Sequence, residues 1–150
     1  ALKSEIPKLE VTAFDNNKKA LVLARSNAKI NKVSINFIYK DLFKYNLIND
    51  YDIIVSNPPY IPYDKNIHDN LKYEPKEAIF VSQDNPLIYY EEIFKIGTKS
   101  LNKKHLIALE IDEDMGPSLK KLAKEYYPND KIVLEKDLNK KNRYLFIYNE

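Results

Sequence analysis

The residues best suited to chemistry are four consecutive ones, Asn57, Pro58, Pro59 and Tyr60, which directly follow a short apolar run. Each proline forces the residue before it out of the helical region, so Asn57 and Pro58 are held extended. Because proline has no N–H group, the segment cannot continue a β-ladder and its carbonyl groups stay available. The sequence therefore predicts a stiff loop that offers the side-chain oxygen of Asn57, the carbonyl of Pro58 and the aromatic face of Tyr60.

This set of groups suits a substrate that carries a planar amino group. The two oxygens can accept both hydrogens of the –NH2 group while the ring of Tyr60 packs on its plane. Held in this way, the nitrogen lone pair is less delocalised and points at an electrophile, so the attack requires no general base. The alternative interpretation is a Pro-Pro turn that only ends a strand.

The elements that must position this loop alternate between short apolar runs and amphipathic stretches. This pattern is typical of an α/β fold with a mainly parallel sheet. We predict strands at residues 9–14, 33–39, 51–56, 106–111, 131–135 and 143–148, and helices at 18–29, 87–101 and 117–126. The last two strands are expected to be antiparallel, the strand at 51–56 to be buried on both faces, and residues 60–86 to form a long functional loop.

Composition excludes several classes of function. The 24 basic and 22 acidic residues give a net charge of +2, so charge alone cannot hold a polyanion. The absence of cysteine excludes disulfides, thiolate zinc sites and cysteine nucleophiles, and two histidines leave little room for a metal site. Gly97 and Gly116 are the only glycines, so these residues contain no glycine-rich turn for a pyrophosphate. No apolar run is long enough to cross a membrane, and the composition favours an intracellular, cytoplasmic globular protein.

Residues 53–62, with the sequence IIVSNPPYIP, resemble the signature of amino-group methyltransferases that use S-adenosylmethionine. Within that superfamily the chain is most similar to the HemK/PrmC-type protein-glutamine methyltransferases, which modify the glutamine of the Gly-Gly-Gln motif in peptide chain release factors. Residues 73–78, 109–111 and 137–143 are also similar to family elements. The resemblance implies a Rossmann-like class I S-adenosylmethionine-dependent methyltransferase fold, with a mostly parallel sheet, an antiparallel C-terminal strand and the first strand missing.

The same resemblance implies which residues bind the cofactor S-adenosylmethionine. Asp15 would accept hydrogen bonds from both ribose hydroxyls, Asp41 and Leu42 would border the adenine, and Asn57 would lie near the amino-acid end. The ordinary alternatives are a helix cap for Asp15, for which Asn16 is equally suited, and a cap or turn residue for Asp41.

The catalytic and substrate-binding residues follow from the resemblance as well, and no metal ligand is predicted. Asn57 and Pro58 would hold the substrate amide, and Pro59 and Tyr60 would shape its pocket. Glu74 would orient the incoming substrate loop, unless it is an ordinary surface carboxylate.

Three further polar residues are not expected to take part in catalysis. Glu110 is expected to be structural, His68 to be an exposed loop residue and His105 to be a solvated turn residue.

Two parts of the family pattern have no counterpart in these 150 residues: the N-terminal docking domain, and the first strand with its Gly-x-Gly-x-Gly loop. We therefore expect residues 1–150 to be a partial catalytic domain that is inactive alone and binds S-adenosylmethionine weakly or not at all. Without the missing strand, the strands at 9–14 and 51–56 must pair directly, leave an exposed edge or borrow a partner.

Two other functions remain open from the sequence. An adenine-amino methyltransferase of DNA or RNA uses a similar loop, although the near-neutral charge argues against it. A non-catalytic relic or interaction domain would keep the fold and lose the cofactor. For the leading interpretation, the expected partners are peptide chain release factors, with no membrane and no directly bound nucleic acid.

Overall fold

The computed structural model describes residues 1–44, 50–62 and 76–149, in which helices and strands alternate as the sequence predicts. They belong to two compact units, Ala1–Asn46 and Leu47–Glu150. The first unit consists of a helical turn followed by a strand–helix–strand motif: α1 (Leu2–Glu5), β1 (Thr12–Asp15), α2 (Lys18–Ile30) and β2 (Asn36–Tyr39).

In the first unit β1 and β2 are parallel, with Thr12 opposite Asn36 and Asp15 opposite Tyr39. Parallel neighbours need a crossover connection, and α2 provides it. Both strands begin three residues later than predicted, at Thr12 instead of residue 9 and at Asn36 instead of residue 33. The residues before each strand continue its apolar pattern but do not pair, so the pattern predicts strands that are too long at their N-terminal ends.

The cap of α2 differs from the prediction. The side-chain oxygen of Asn17 accepts the N–H groups of Lys19 at 2.9 Å and Ala20 at 3.2 Å, so Asn17 is the N-cap and neither Asp15 nor Asn16 is. Asp15 accepts the N–H of Asn17 at 2.6 Å instead, which fixes the turn between β1 and α2.

The second unit contains a four-stranded sheet in the order β3-β6-β8-β7 and a separate short parallel pair, β4-β5. Its elements are β3 (Tyr51–Ser56), β4 (Ile61–Pro62), α3 (Lys76–Ile79), β5 (Phe80–Val81), α4 (Ile88–Ser100), β6 (Leu101–Glu110), α5 (Gly116–Tyr126), β7 (Lys131–Lys136) and β8 (Asn142–Asn149). The strand β3 is parallel to β6, and β8 is antiparallel to both β6 and β7, which confirms the predicted antiparallel end of the chain. The predicted long loop at 60–86 is wrong in its described part, because β4, α3 and β5 lie there.

The core of the second unit lies between the sheet and the helices α4 and α5. Residues of β6 pair with residues of β8 across the sheet, Ile107 with Ile147 and Leu109 with Leu145, and all four are fully buried. The period of two along each strand puts these side chains on one face. The helices contribute further fully buried side chains to this core: Tyr90, Phe94, Leu119 and Ala123.

The strand β3 is less buried than predicted. Ile53 is 44% exposed and Val55 is 57% exposed, so the expectation of burial on both faces is wrong. Within the described ranges β3 pairs with β6 alone, and β1 lies in a different sheet. Among the described strands β3 therefore has one open edge, which is one of the outcomes expected from the sequence.

The prediction for His105 is also wrong, because this residue lies inside β6 opposite Asn149 of β8. Its side chain is only 9% exposed. Its Nε2 atom is 2.9 Å from Oδ2 of Asp130, and its Nδ1 atom is 2.9 Å from the carbonyl oxygen of Asn102. His105 therefore links β6 to the turn before β7.

Candidate active site

The predicted loop, Asn57 to Tyr60, begins where β3 ends. Ser56, the last residue of β3, lies opposite Leu109, so the loop starts at the edge where β6 also ends. This is the carboxyl edge of parallel strands, where open α/β sheets bind ligands. The side chain of Asn57 is exposed and Pro58 is buried, while Pro59 and Tyr60 are half-buried. Pro58 thus anchors the loop and leaves the amide of Asn57 accessible.

Glu110, the last residue of β6, lies beside this loop. The hydroxyl of Tyr60 is 3.5 Å from Oε1 of Glu110, and the hydroxyl of the buried Tyr90 donates to the Glu110 carbonyl oxygen at 3.0 Å. Burial, and then the negative charge of Glu110, raises the pKa of the Tyr60 hydroxyl. Burial also raises the pKa of Tyr90. Both phenols therefore keep their protons and act as donors.

An ion pair between Arg143 and Asp137 lies at the same edge. Nε of Arg143 is 3.5 Å from Oδ2 of Asp137, and Nη1 of Arg143 donates to the carbonyl oxygen of Ile111 at 3.5 Å. Burial lowers the pKa of Arg143, but Tyr60, Asp137 and Glu110 outweigh this effect and raise it. The guanidinium of Arg143 therefore remains charged at this edge of the sheet.

Three of the residues implied for cofactor binding, Asp15, Asp41 and Leu42, lie in the first unit, where the structure brings Asp15 and Asp41 to one edge. Asp15 ends β1, and its carbonyl oxygen accepts the N–H of Lys40, directly before Asp41. Oδ1 of Asp41 accepts the N–H of Phe43 at 3.0 Å, while the half-buried Leu42 begins a short 3-10 turn. Two carboxylates at the ends of adjacent parallel strands provide hydrogen-bond acceptors that fit ligand hydroxyl groups.

Two residues named in the sequence analysis, Glu74 and His68, lie outside the described residues. Among those that are described, no group of three or more His, Cys, Asp or Glu side chains could hold a metal ion. No helix in the described ranges is both long and apolar enough to cross a bilayer.

A family model described as "Methyltransferase small domain" matches residues 1–78. The chain belongs to the methyltransferase small domain family. The matched range includes β1, α2, β2 and β3 together with the Asn57–Tyr60 loop. The family is therefore recognised on the segments that carry the implied cofactor-binding and substrate-binding residues.

Curated relatives agree with the resemblance seen in the sequence. The chain is 35% identical over 148 residues to the release factor glutamine methyltransferase of Flavobacterium psychrophilum, covering 89% of this chain and 52% of the relative. It is 34% identical over 140 residues to the protein of that name from Lactococcus lactis, covering 91% of this chain and 51% of the relative. These matches confirm the resemblance to HemK/PrmC-type enzymes. The chain spans about half the length of the curated relatives it matches.

Solved structures confirm the fold class. A methyltransferase from Pyrococcus furiosus superposes with a TM-score of 0.70 at 16% identity, covering 98% of this chain and 66% of that one. A 16S rRNA methyltransferase from T. thermophilus, solved with AdoMet and guanosine, gives a TM-score of 0.62 at 14% identity, covering 94% and 32%. At these identities the likeness shows the fold alone, which is the predicted Rossmann-like methyltransferase fold.

Glu110, which the sequence analysis expects to be structural, lies beside the loop, and this position was not predicted from the sequence. The available signal was that Glu110 ends an apolar strand, as Ser56 does. What the sequence does not reveal is that these two strands are neighbours, because α4 and the preceding segment separate them along the chain.

Proposed function

We propose that these residues form the catalytic part of an S-adenosylmethionine-dependent enzyme that methylates the glutamine side-chain amide in the Gly-Gly-Gln motif of peptide chain release factors. The observation that carries the proposal is the Asn57–Tyr60 loop at the carboxyl end of β3, with the Asn57 amide exposed and Pro58 buried beneath it. The names of the curated relatives support this substrate.

The loop residues would act by positioning the amide. The side-chain oxygen of Asn57 and the carbonyl of Pro58 would each accept one amide hydrogen, while Pro59 and Tyr60 would shape the pocket around the amide plane. Two acceptors fix the rotation of the –NH2 group, so its nitrogen meets the electrophile in one orientation. Glu74 would orient the incoming loop of the release factor.

Asp15, Asp41, Leu42 and Asn57 are proposed to hold S-adenosylmethionine, which when bound supplies the methyl group that the amide nitrogen takes up with loss of one proton. Asp15 would accept from the ribose hydroxyls, and one of its oxygens already receives the N–H of Asn17 at 2.6 Å, which fixes the orientation of the carboxylate. Asp41, whose Oδ1 is fixed by the N–H of Phe43, would border the adenine with Leu42.

We further propose that both compact units are parts of one catalytic domain that these residues represent incompletely. The matched range of the family model supports this, because it begins in the first unit and continues into the second. Since release factors act in translation, the enzyme would work in the cytoplasm. Its recognition of substrate would require no directly bound nucleic acid.

The test is a methylation assay on the full-length protein with labelled S-adenosylmethionine. The substrates are a release factor, the same factor with its motif glutamine changed to asparagine, and DNA and RNA oligonucleotides that contain adenine. We expect label in the unmodified factor and none in the other substrates. Label in the oligonucleotides would favour the adenine-amino alternative, and the absence of label from every substrate would favour the non-catalytic one.

A further inference from the structure

The side chain of Tyr60 is held by a group from a neighbouring strand. Its hydroxyl is 3.5 Å from Oε1 of Glu110, and Tyr60 itself is half-buried. This is a long hydrogen bond, but such bonds in active sites are often long before substrate binds and shorten when it does. Because the phenol keeps its proton, the bond runs from a neutral donor to a carboxylate, which is the stronger type.

Glu110 is fixed on several sides. It lies opposite Tyr144 in the antiparallel pair of β6 and β8, and its carbonyl oxygen accepts the hydroxyl of Tyr90 at 3.0 Å. Tyr90 is fully buried in α4, so the end of β6 is tied to the core. The backbone that carries the Glu110 carboxylate is therefore held in place before any substrate is present.

A positively charged side chain lies at the same edge of the sheet. Nη1 of Arg143 donates to the carbonyl oxygen of Ile111, the residue after Glu110, at 3.5 Å, and Nε of Arg143 is 3.5 Å from Oδ2 of Asp137. Asp137 in turn accepts the N–H groups of Asn139 at 2.8 Å and Lys141 at 3.1 Å. We call Tyr60, Glu110, Arg143 and Asp137 the edge network; it continues from the turn after β7 to the loop after β3.

We propose that Glu110 is a positioning residue for Tyr60: its carboxylate receives the phenol hydroxyl and thereby holds the ring in one orientation beside the substrate amide. The effect of Glu110 on the methylation rate rests on the proposed function. The hydrogen bond between Tyr60 and Glu110 does not depend on that function.

The kinetic test uses the full-length protein with Glu110→Leu, Glu110→Gln, Tyr60→Phe and the double change Glu110→Leu with Tyr60→Phe. Loss of a hydrogen bond to a charged group is expected to lower kcat about tenfold in Glu110→Leu, with KM little changed. Glu110→Gln keeps an acceptor and should recover part of the rate. In the Tyr60→Phe background, Glu110→Leu should have no further effect.

Glu91 offers a control in another Tyr–Glu pair: it accepts the hydroxyl of Tyr126 at 3.1 Å between α4 and α5, and it also forms an ion pair with Nζ of Lys95 at 2.8 Å. Glu91→Leu should leave kcat unchanged. If Glu110→Leu lowers kcat equally in the Tyr60 and Tyr60→Phe backgrounds, Glu110 acts by another route and the proposal is wrong.

A spectroscopic measurement separates this proposal from the proposed function. In protein labelled with 13C at the tyrosine Cζ, the resonance of Tyr60 is identified by its loss in Tyr60→Phe. Glu110→Leu should shift this resonance and lower the pKa of the Tyr60 hydroxyl, whereas Glu91→Leu should affect Tyr126 instead. An unchanged Tyr60 resonance would overturn the pairing even if the enzyme methylates release factors. A shifted resonance in a protein without activity would support the pairing and contradict the function.

Discussion

Replacing Gly97 by alanine should destabilise the second unit through a single contact with Tyr127. A Cβ atom at position 97 would lie 2.3 Å from the Tyr127 hydroxyl oxygen, 3.1 Å from Cδ1 of Leu101 and 3.4 Å from Cδ1 of Ile107. The first distance is far inside van der Waals contact, whereas the ends of the other two side chains can adjust. Helix α4 can therefore pass this close to Tyr127 only with glycine at position 97.

The size of the change in the free energy of unfolding follows from the interactions that the Tyr127 side chain would lose. Its buried hydroxyl donates to the carbonyl oxygen of Phe94 at 2.9 Å, and moving it would cost about 1 kcal/mol for the hydrogen bond and about 1–3 kcal/mol for the strained packing. Alanine recovers about 1 kcal/mol through its higher helix propensity. We expect the free energy of unfolding to fall by about 2 kcal/mol in Gly97→Ala.

Urea unfolding followed by circular dichroism measures this change, and Lys99→Ala, on the exposed side of the same helix, is the control. In the Tyr127→Phe background the clashing oxygen is absent, so Gly97→Ala should be neutral or slightly stabilising. The reasoning is refuted if Gly97→Ala costs the same with and without the Tyr127 hydroxyl, or if it does not destabilise the original chain.

Three further predictions concern the cap, the acid stability and the cofactor. Asn17→Ala should lower the free energy of unfolding of the first unit by about 1 kcal/mol, because two N–H groups of α2 lose their acceptor; unchanged thermal unfolding would contradict this. Hydrogen bonds from the N–H of Lys141 first, and then from that of Asn139, hold the pKa of Asp137 below its usual range. The ionised Asp137 carboxylate therefore stabilises the fold above the pKa that it has in the unfolded chain, and this stabilisation is lost as the pH falls through its pKa in the folded protein. Asp137→Asn should therefore make the loss of stability below about pH 4 less steep, and an unchanged acid-unfolding curve would argue against this role. Titration calorimetry of the 150-residue chain with S-adenosylmethionine should give weak or no binding, because these residues contain no glycine-rich loop; micromolar affinity would contradict this prediction.

The sequence predicts best those elements whose limits are set by local chemistry. The bounds of β3, Tyr51–Ser56, agree with the prediction because a compact apolar run ends at two prolines that cannot continue a strand. The helix α5 agrees to within one residue, since Pro117 marks its first turn and Pro128 follows its end. The Asn57–Tyr60 loop lies at a strand end for the same local reasons.

Features that depend on distant partners were not predictable. His105 follows two lysines and so resembles a turn residue in the sequence. In the structure β6 extends through it, because Asn149 of β8 pairs with His105 and Oδ2 of Asp130 lies within hydrogen-bonding distance of its imidazole. Likewise, the contact between Tyr60 and Glu110 joins residues 50 positions apart, and it arises from the order of strands in the sheet. Periodicity describes which face of an element is apolar, but not which element will cover or extend it.

The most direct test of the central claim, that the Asn57 side chain holds the substrate amide, is the methylation rate of Asn57→Ala in the full-length protein. Because Asn57 is exposed, this change should leave the fold intact by circular dichroism. Asn129→Ala, another exposed asparagine remote in sequence from the loop, is the matched control. We predict that kcat falls about a hundredfold or more in Asn57→Ala and stays unchanged in the control. A rate within about twofold of the original in a folded Asn57→Ala protein would contradict the claim.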